Sequence, residues 1–471
     1  MDWQSTFVRP GDPLIPGWTK LSPLDQLENR FIVPIVLVFH VSSPALRKPL
    51  LRDLKASLAN TIAKMPFLAA SVVPDCEEQD TIQLEISDDA GVWFYSQELP
   101  EIDYYALERR GFPPPEFPLL SLMPEPRVHR RERSPVLTVL ATFIASGLLL
   151  TLNIHHSAMD GTGIGIFIKT FAKHAAALSD GRFLSSEEAF PEEALDRSNI
   201  IGGSGRKEVC DIPNYRLSKK YRCAVEQELI EAAIAGGDNP LLQKLQFSHW
   251  SVSDESIRAI REAAMPPAKE LPVLTEHAII CAVLWRHISR ARQLSARGIM
   301  THSFINTVNI RRRMDPSLPL EYPGNALVHA KTSATTTDVD SAEPGMLYKL
   351  AKQITDAIDW WTPERIWELI GAIESSEKVS KIEPNMDNFQ GPDLEVTSTA
   401  ALGHIFSVDW GCGLGRLKAF RFVYAPVKDG WVCVLPQRKG AGIELIMGLE
   451  KSSIQNLRQD KEWLQLAKEI L

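Results

Sequence analysis

The stretch PVLTVLATFIASGLLLTLNIHHSAMDGTGIGIFIKTFAKHAAAL, residues 135–178, decides how this chain is read. Pro135 to Ile154 carries no charge and is about as long as a bilayer-spanning helix of roughly 20 residues. It is nevertheless rich in Thr, Ser and β-branched side chains and is broken at Ser146-Gly147. Two buried strands joined by a turn fit that composition better than a membrane helix does. Gly161 and Gly163 then end the extended run, and IGIFIKTFAKHAAAL has the length and composition of a helix. Strand, glycine turn and helix in that order place a reactive group at the rim of a sheet.

The turn itself supplies the candidates. His155 and His156 are neighbours at a strand end, so their side chains leave opposite faces and only one can look into a given pocket. Histidine is the side chain suited to moving protons near neutral pH. Asp160, four residues after His156, can brace the loop or fix a tautomer. Taken alone, a His near an Asp is more often structural. A metal held by His155, His156 and Asp160 would need further ligands, and none clusters nearby in the sequence.

Working outward, Leu51, Leu54, Leu58, Ile62 and Met65 recur at helical spacing over residues 45–65. Residues 112–136 are Pro-rich and then basic, as a solvated loop would be. Apolar content falls between about 180 and 225, which marks a linker. Two units follow: 1–180 before the linker 181–225, and 226–471 after it. In the second, Thr275 can cap a helix over 275–292, and Leu347, Leu350, Ile354 and Ile358 mark another. WVCVLP and GIELIMGLE form a hairpin around QRKGAG, and Ile454, Leu457, Leu464 and Ile470 lie on one final amphipathic helix.

Composition removes whole classes. With 471 residues, 44% hydrophobic and 23% charged, the chain can bury a large core and is neither disordered nor a small stapled scaffold. Against 51 basic residues stand 59 acidic ones, a net charge of -8, so nothing draws it generally to nucleic acid. Cys76, Cys210, Cys223, Cys281, Cys412 and Cys433 form no CxxC pair. They read as reduced thiols of a cytoplasmic protein, in keeping with the missing Asn-x-Ser/Thr acceptors and the absence of a signal-peptide pattern. GTGIG (161–165) and GCGLG (411–415) both lack the last glycine of GxGxxG, and no P-loop, HExxH or GxSxG occurs.

A second feature lies far downstream: Thr397-Ser398-Thr399, then Val408-Asp409-Trp410-Gly411-Cys412-Gly413. By itself it is a tight glycine turn, with Cys412 a packed thiol rather than a nucleophile. Together with His156-Ser-Ala-Met-Asp160-Gly161 it resembles the BAHD-type acyl-CoA acyltransferases, in particular fungal trichothecene 3-O-acetyltransferase-like members, whose signatures are HxxxDG and a DFGWG-like segment. LSPLDQL (21–27), LKASLANTIAKMPFLAA (54–70), LWRHISRAR, VNIRRR (308–313), YPGN (322–325) and the closing LP…GIELIMGLE follow the family order along nearly the whole chain. Trp410 and Cys412 replace the usual Phe and Trp, Leu414-Gly415 the frequent Lys-Pro, and Thr399 a Trp.

The resemblance implies an α/β fold of two chloramphenicol-acetyltransferase-like domains with a solvent channel between them. His156 would be the general base, Thr397 the donor to the oxyanion, and Asp160 would pair with Arg311. Asp409, Trp410, Gly411 and Gly413 would join the domains without entering the chemistry. It further implies a monomer that binds no metal or cofactor, uses acyl-CoA with an acetyl group as co-substrate, and acylates a hydroxyl of a small secondary metabolite. Contacts with nucleic acid or membrane are not expected. The double histidine also fits condensation-type catalysts with carrier-protein donors. The same fold could serve a cyclisation or isomerisation, and a non-enzymatic binding protein is the reading from a different class.

Overall fold

A computed structural model describes residues 3–123, 133–218, 240–265, 270–387, 391–423 and 428–471. Cys223, residues 124–132 of the basic loop and the end of the expected linker lie outside the described residues. In chain order the main strands are β1 (Gln4–Val8), β2 (Ile32–His40), β3 (Val92–Asp103), β4 (Leu137–Ala145), β5 (Gly147–His155), β6 (Leu245–Val252) and β7 (Thr301–Asn309). They continue with β8 (Leu327–Thr335), β9 (Leu394–Ser398), β10 (Ala419–Phe422), β11 (Trp431–Val434), β12 (Ile443–Glu450) and β13 (Ala467–Glu469). Five helices matter most: α1 (Pro23–Leu27), α2 (Arg47–Lys64), α3 (Gly161–Ser179), α4 (Glu276–Ala291) and α5 (Met346–Asp359).

The first large sheet runs β1-β3-β4-β5-β2-β10 and the second β8-β7-β9-β11-β12-β6-β13. The apolar stretch around Ser146 is the hairpin β4–β5, antiparallel from Leu137↔Ile154 to Ile144↔Gly147. Ser146 sits at φ 57° in the turn. Every residue of β5 is buried, because α2 and α3 cover one face through Leu54, Leu58, Ile62, Phe167 and Phe171. Such a strand shows no alternation, which is why it looked long and uniformly apolar. In the second sheet β7 and β9 run parallel, as do β9 and β11, with α4 packed over them through Val283, Leu284 and Ile288.

Three expectations change. Residues 226–471 do not stay in one unit: β10 leaves it and pairs with β2 of the first sheet, Phe420 opposite Leu37. Phe420 and Trp410 bury there in the first core, and the apolar area removed from water favours that pairing. The final helix is two short ones, Lys451–Leu457 and Lys461–Leu466, followed by β13. Asp460 accepts from the N–H groups of Glu462 and Trp463 and so starts a new helix. The linker is no plain spacer either. Tyr215–Leu217 pairs with Ile382–Pro384, and Arg197 is 5% exposed.

Candidate active site

Strand β5 ends at His155, residues His156–Ala158 make one 3-10 turn, and Asp160 caps α3 by accepting from the Gly163 N–H at 2.9 Å. The glycines set how closely this turn is approached. A Cβ on Gly163 would collide with the Pro323 carbonyl oxygen, and one on Gly165 would stand 2.6 Å from Leu402. The loop 322–325 and the turn after β9 therefore press directly on the start of α3, and only residues without a side chain allow it.

The two histidines part as strand geometry requires. His155 is 2% exposed, and its Nδ1 accepts from the Ser157 N–H at 3.3 Å. The His156 side chain is 23% exposed. The His156 backbone N–H donates to the Phe31 carbonyl at 3.0 Å, and the His156 backbone carbonyl accepts from Asn325 Nδ2 at 3.0 Å. Phe31 meets the ring edge-on at 5.8 Å. His156 Nδ1 is buried without a hydrogen-bond partner, and Glu28 Oε2 lies 3.5 Å from it.

Two buried ion pairs anchor this loop. Arg311 Nη1 and Nη2 reach the two oxygens of Asp160 at 2.9 Å each. The carboxylate also accepts from Ala326 N–H at 3.0 Å, while Arg311 donates onward to the carbonyls of Tyr322 and Gly324. Asp160 thus points away from the exposed edge of His156. The second pair is Arg197 with Asp25, 2.6 Å apart, and Arg197 Nη2 donates to the Ala158 carbonyl at 2.7 Å. Asp25 holds Asn325 through its N–H and Nδ2, at 2.8 and 2.9 Å. Elements far apart in sequence thereby fix the backbone on both sides of His156. Unpaired, charges this buried would cost several kcal/mol each.

Thr397, at the end of β9, lies 3.1 Å from Thr307 on β7, hydroxyl to hydroxyl. Such a pair uses one proton internally and keeps the other to donate outward. Thr399 is occupied, since its hydroxyl donates to the Val434 carbonyl at 2.8 Å. The segment also touches the histidine turn: a Cβ on Gly161 would lie 3.4 Å from the Thr399 methyl. Asn309 Nδ2 donates to Thr162 at 3.0 Å, tying β7 to α3.

Residues 409–413 sit elsewhere, on the far end of α3. Gly411, Cys412 and Gly413 have φ of 58°, 53° and 80°, and Cys412 N–H donates to Ser179 Oγ at 2.8 Å. Trp410 is fully buried, edge-on to Phe39 and Phe171 at 5.2 Å each. The side chain of exposed Asp409 accepts from the Gly411 N–H at 2.8 Å and holds the turn. Burial, with the Asp53 carboxylate adding to it, pushes the Cys412 thiol up to about 11, so the thiolate needed for nucleophilic attack is scarce at neutral pH. Among the described residues no three His, Cys, Asp or Glu side chains are grouped to hold a metal ion. No described helix is long and apolar enough to cross a membrane.

Sequence reasoning missed Glu28, Arg197 and Thr307. Glu28 directly follows LSPLDQL, but nothing local sets it apart from any surface acid. Arg197 stands in a polar stretch, where charge ordinarily means solvent. Thr307 is one of several threonines on a strand. Only proximity in three dimensions singles them out.

Comparison with known proteins agrees with this architecture. A family model described as the Transferase family matches residues 3–464. Acyltransferase easC of Emericella nidulans is 26% identical over 97% of this chain and 96% of its own. Eremophilane O-acetyltransferase prx11 of Penicillium rubens is 26% identical over 95% of this chain and 98% of its own. Among solved structures, F. graminearum TRI101 complexed with coenzyme A and T-2 mycotoxin superposes with a TM-score of 0.81, covering 97% of this chain and all of that one, at 17% identity.

Proposed function

Since the chain belongs to the Transferase family of BAHD-type enzymes, we propose that it moves an acetyl group from acetyl-CoA to a hydroxyl of a small secondary metabolite, with His156 as general base. The observation that carries this reading is the division inside one motif. His156 keeps an exposed edge, whereas Asp160, four residues on, is sealed against Arg311. A base must reach a substrate; a buried carboxylate bonded to a guanidinium and two amides cannot. The CoA and acceptor ligands of the structural relative, and the acetyltransferase named above, support the donor and the acceptor class.

In this mechanism His156 Nε2 takes the proton as the acceptor oxygen attacks the thioester carbonyl. The oxyanion then formed accepts from the free hydroxyl proton of the Thr397–Thr307 pair, and donors placed at such an oxygen contribute several kcal/mol. Collapse breaks the C–S bond, and the imidazolium returns its proton to the leaving sulfur. The transfer is direct, within a ternary complex, and needs neither metal nor acyl-enzyme. The two halves, built on the first and second large sheets with β10 of the later half crossing to the first, would enclose the channel in which the substrates meet. Asp409, Trp410, Gly411 and Gly413 hold those units together, and the enzyme works as a cytoplasmic monomer.

Mass spectrometry after incubation with acetyl-CoA and a panel of hydroxylated metabolites tests this. The expected result is an acetylated product and free CoA in equal amounts, lowered about 10²–10⁴-fold in His156→Ala. Turnover only from a carrier-protein thioester would transfer the protein to the condensation reading. Tight metabolite binding with no turnover would make it a binding protein.

A further inference from the structure

The acid beside His156 belongs to none of the motifs, yet its placement is specific. Glu28 caps the C-terminus of α1, its side chain is 11% exposed, and its Oε2 is 3.5 Å from His156 Nδ1. That nitrogen is buried and has no hydrogen-bond partner, which is uncommon for a buried polar atom and calls for a reason. The other charges around the loop are closed on themselves, Asp160 with Arg311 and Asp25 with Arg197. Among the described residues no Lys or Arg neutralises Glu28.

We propose that Glu28 is a positioning residue for His156. Its carboxylate accepts the Nδ1–H, so the neutral ring carries its proton on Nδ1 and presents Nε2 bare to the acceptor hydroxyl. During transfer the proton moves from the acceptor oxygen to Nε2 and then to the CoA sulfur. Nδ1–H never leaves, and the Glu28 carboxylate balances the imidazolium while it exists. A separation of 3.5 Å is longer than a formed hydrogen bond; a shift of about 0.5 Å in the Glu28 carboxylate brings it into hydrogen-bonding range. This inference rests on His156 being the base.

The test reads the ring directly. Full-length protein labelled with nitrogen-15 histidine is examined by long-range proton–nitrogen spectra, with His156 assigned by its loss in His156→Ala. The wild type is expected to show neutral His156 protonated at Nδ1. Glu28→Leu, which cannot accept a hydrogen bond, should shift the ring toward the Nε2–H form, while Glu28→Gln, whose amide oxygen can accept, should hold it. With acetyl-CoA and whichever metabolite of the panel proves to be acetylated, Glu28→Leu should lower kcat by about tenfold or more with little change in KM, short of the 10²–10⁴-fold loss of the base itself. Glu28→Asp should recover part of that loss. An Nε2–H ring in the wild type overturns the proposal without any variant having to fold, and so does a tautomer indifferent to Glu28→Leu. If the tautomers behave as stated while His156→Ala turns over normally, the positioning stands and the assignment of His156 as base fails.

Discussion

Asp160→Ala separates scaffold from chemistry within the HxxxDG motif. The carboxylate receives two guanidinium hydrogen bonds of 2.9 Å and two backbone ones, from Gly163 and Ala326. Removing it strands Arg311, itself 2% exposed, in a site where breaking one side of an ion pair costs about 3–5 kcal/mol. Loss of the α3 cap adds about 1 kcal/mol. Arg311 keeps the carbonyls of Tyr322 and Gly324, so its hydrogen bonding is largely preserved and the penalty is mainly the unpaired charge. Arg311→Ala should be milder, because Asp160 retains two amides and the N-terminus of a helix. For 471 residues unfolding together, the unfolding entropy is roughly 1 kcal/mol/K. Asp160→Ala should therefore lower Tm by about 4–6 °C and Arg311→Ala by about 3 °C. The double variant should fall short of the sum by about 1–3 kcal/mol, since the pair is coupled. Melting curves and initial rates on the four proteins, with His156→Ala for reference, measure this. If Asp160→Ala melts like the wild type yet loses turnover as His156→Ala does, Asp160 acts in the reaction and the scaffold reasoning is wrong.

Other consequences are equally direct. Cys412→Ser should retain turnover, and intact-mass spectra with acetyl-CoA alone should show no acyl adduct, because the thiol is held up at about 11 by burial and by Asp53; a competent adduct on Cys412 would replace direct transfer by a two-step route. Stability should fall on acidification between pH 6.5 and about 4, where burial, aided by nearby Lys64 and Lys173 for His174 and by Arg292 for His302, pulls both imidazoles down to about 4. In that window the unfolded chain binds protons that the folded one refuses, so each group removes up to about 1.4 kcal/mol per pH unit. His302 is also locked neutral, since its Nδ1 accepts from Trp285 Nε1–H at 3.0 Å. Chemical denaturation at several pH values should show a shallower slope in His174→Gln; an unchanged slope there would discount that histidine.

The sequence by itself carried the local decisions. An aspartate able to cap and an uncharged β-branched run broken at Ser146-Gly147 specify the strands and the start of the helix, because propensity and capping act within a few residues; Gly161 and Gly163, expected to end the extended run, instead lie in the first turn of α3. It also carried the motif order and hence the family. It could not carry partners chosen across the chain. That β10 would leave its neighbours for the first sheet, where Phe420 is buried in the core beside Trp410, depends on contacts made far along the chain. The end of the chain, read as one helix, was divided by a side chain, Asp460, that offers its oxygen to two free amides. Arg197 and Glu28 have charged neighbours in the sequence, Asp196 and Arg30 among them, and so look like ordinary surface charges. Their roles come from Asp25, 172 positions from Arg197, and from a histidine at the tip of β5. Electrostatic pairing and desolvation depend on distance in space, which the fold sets and sequence separation does not.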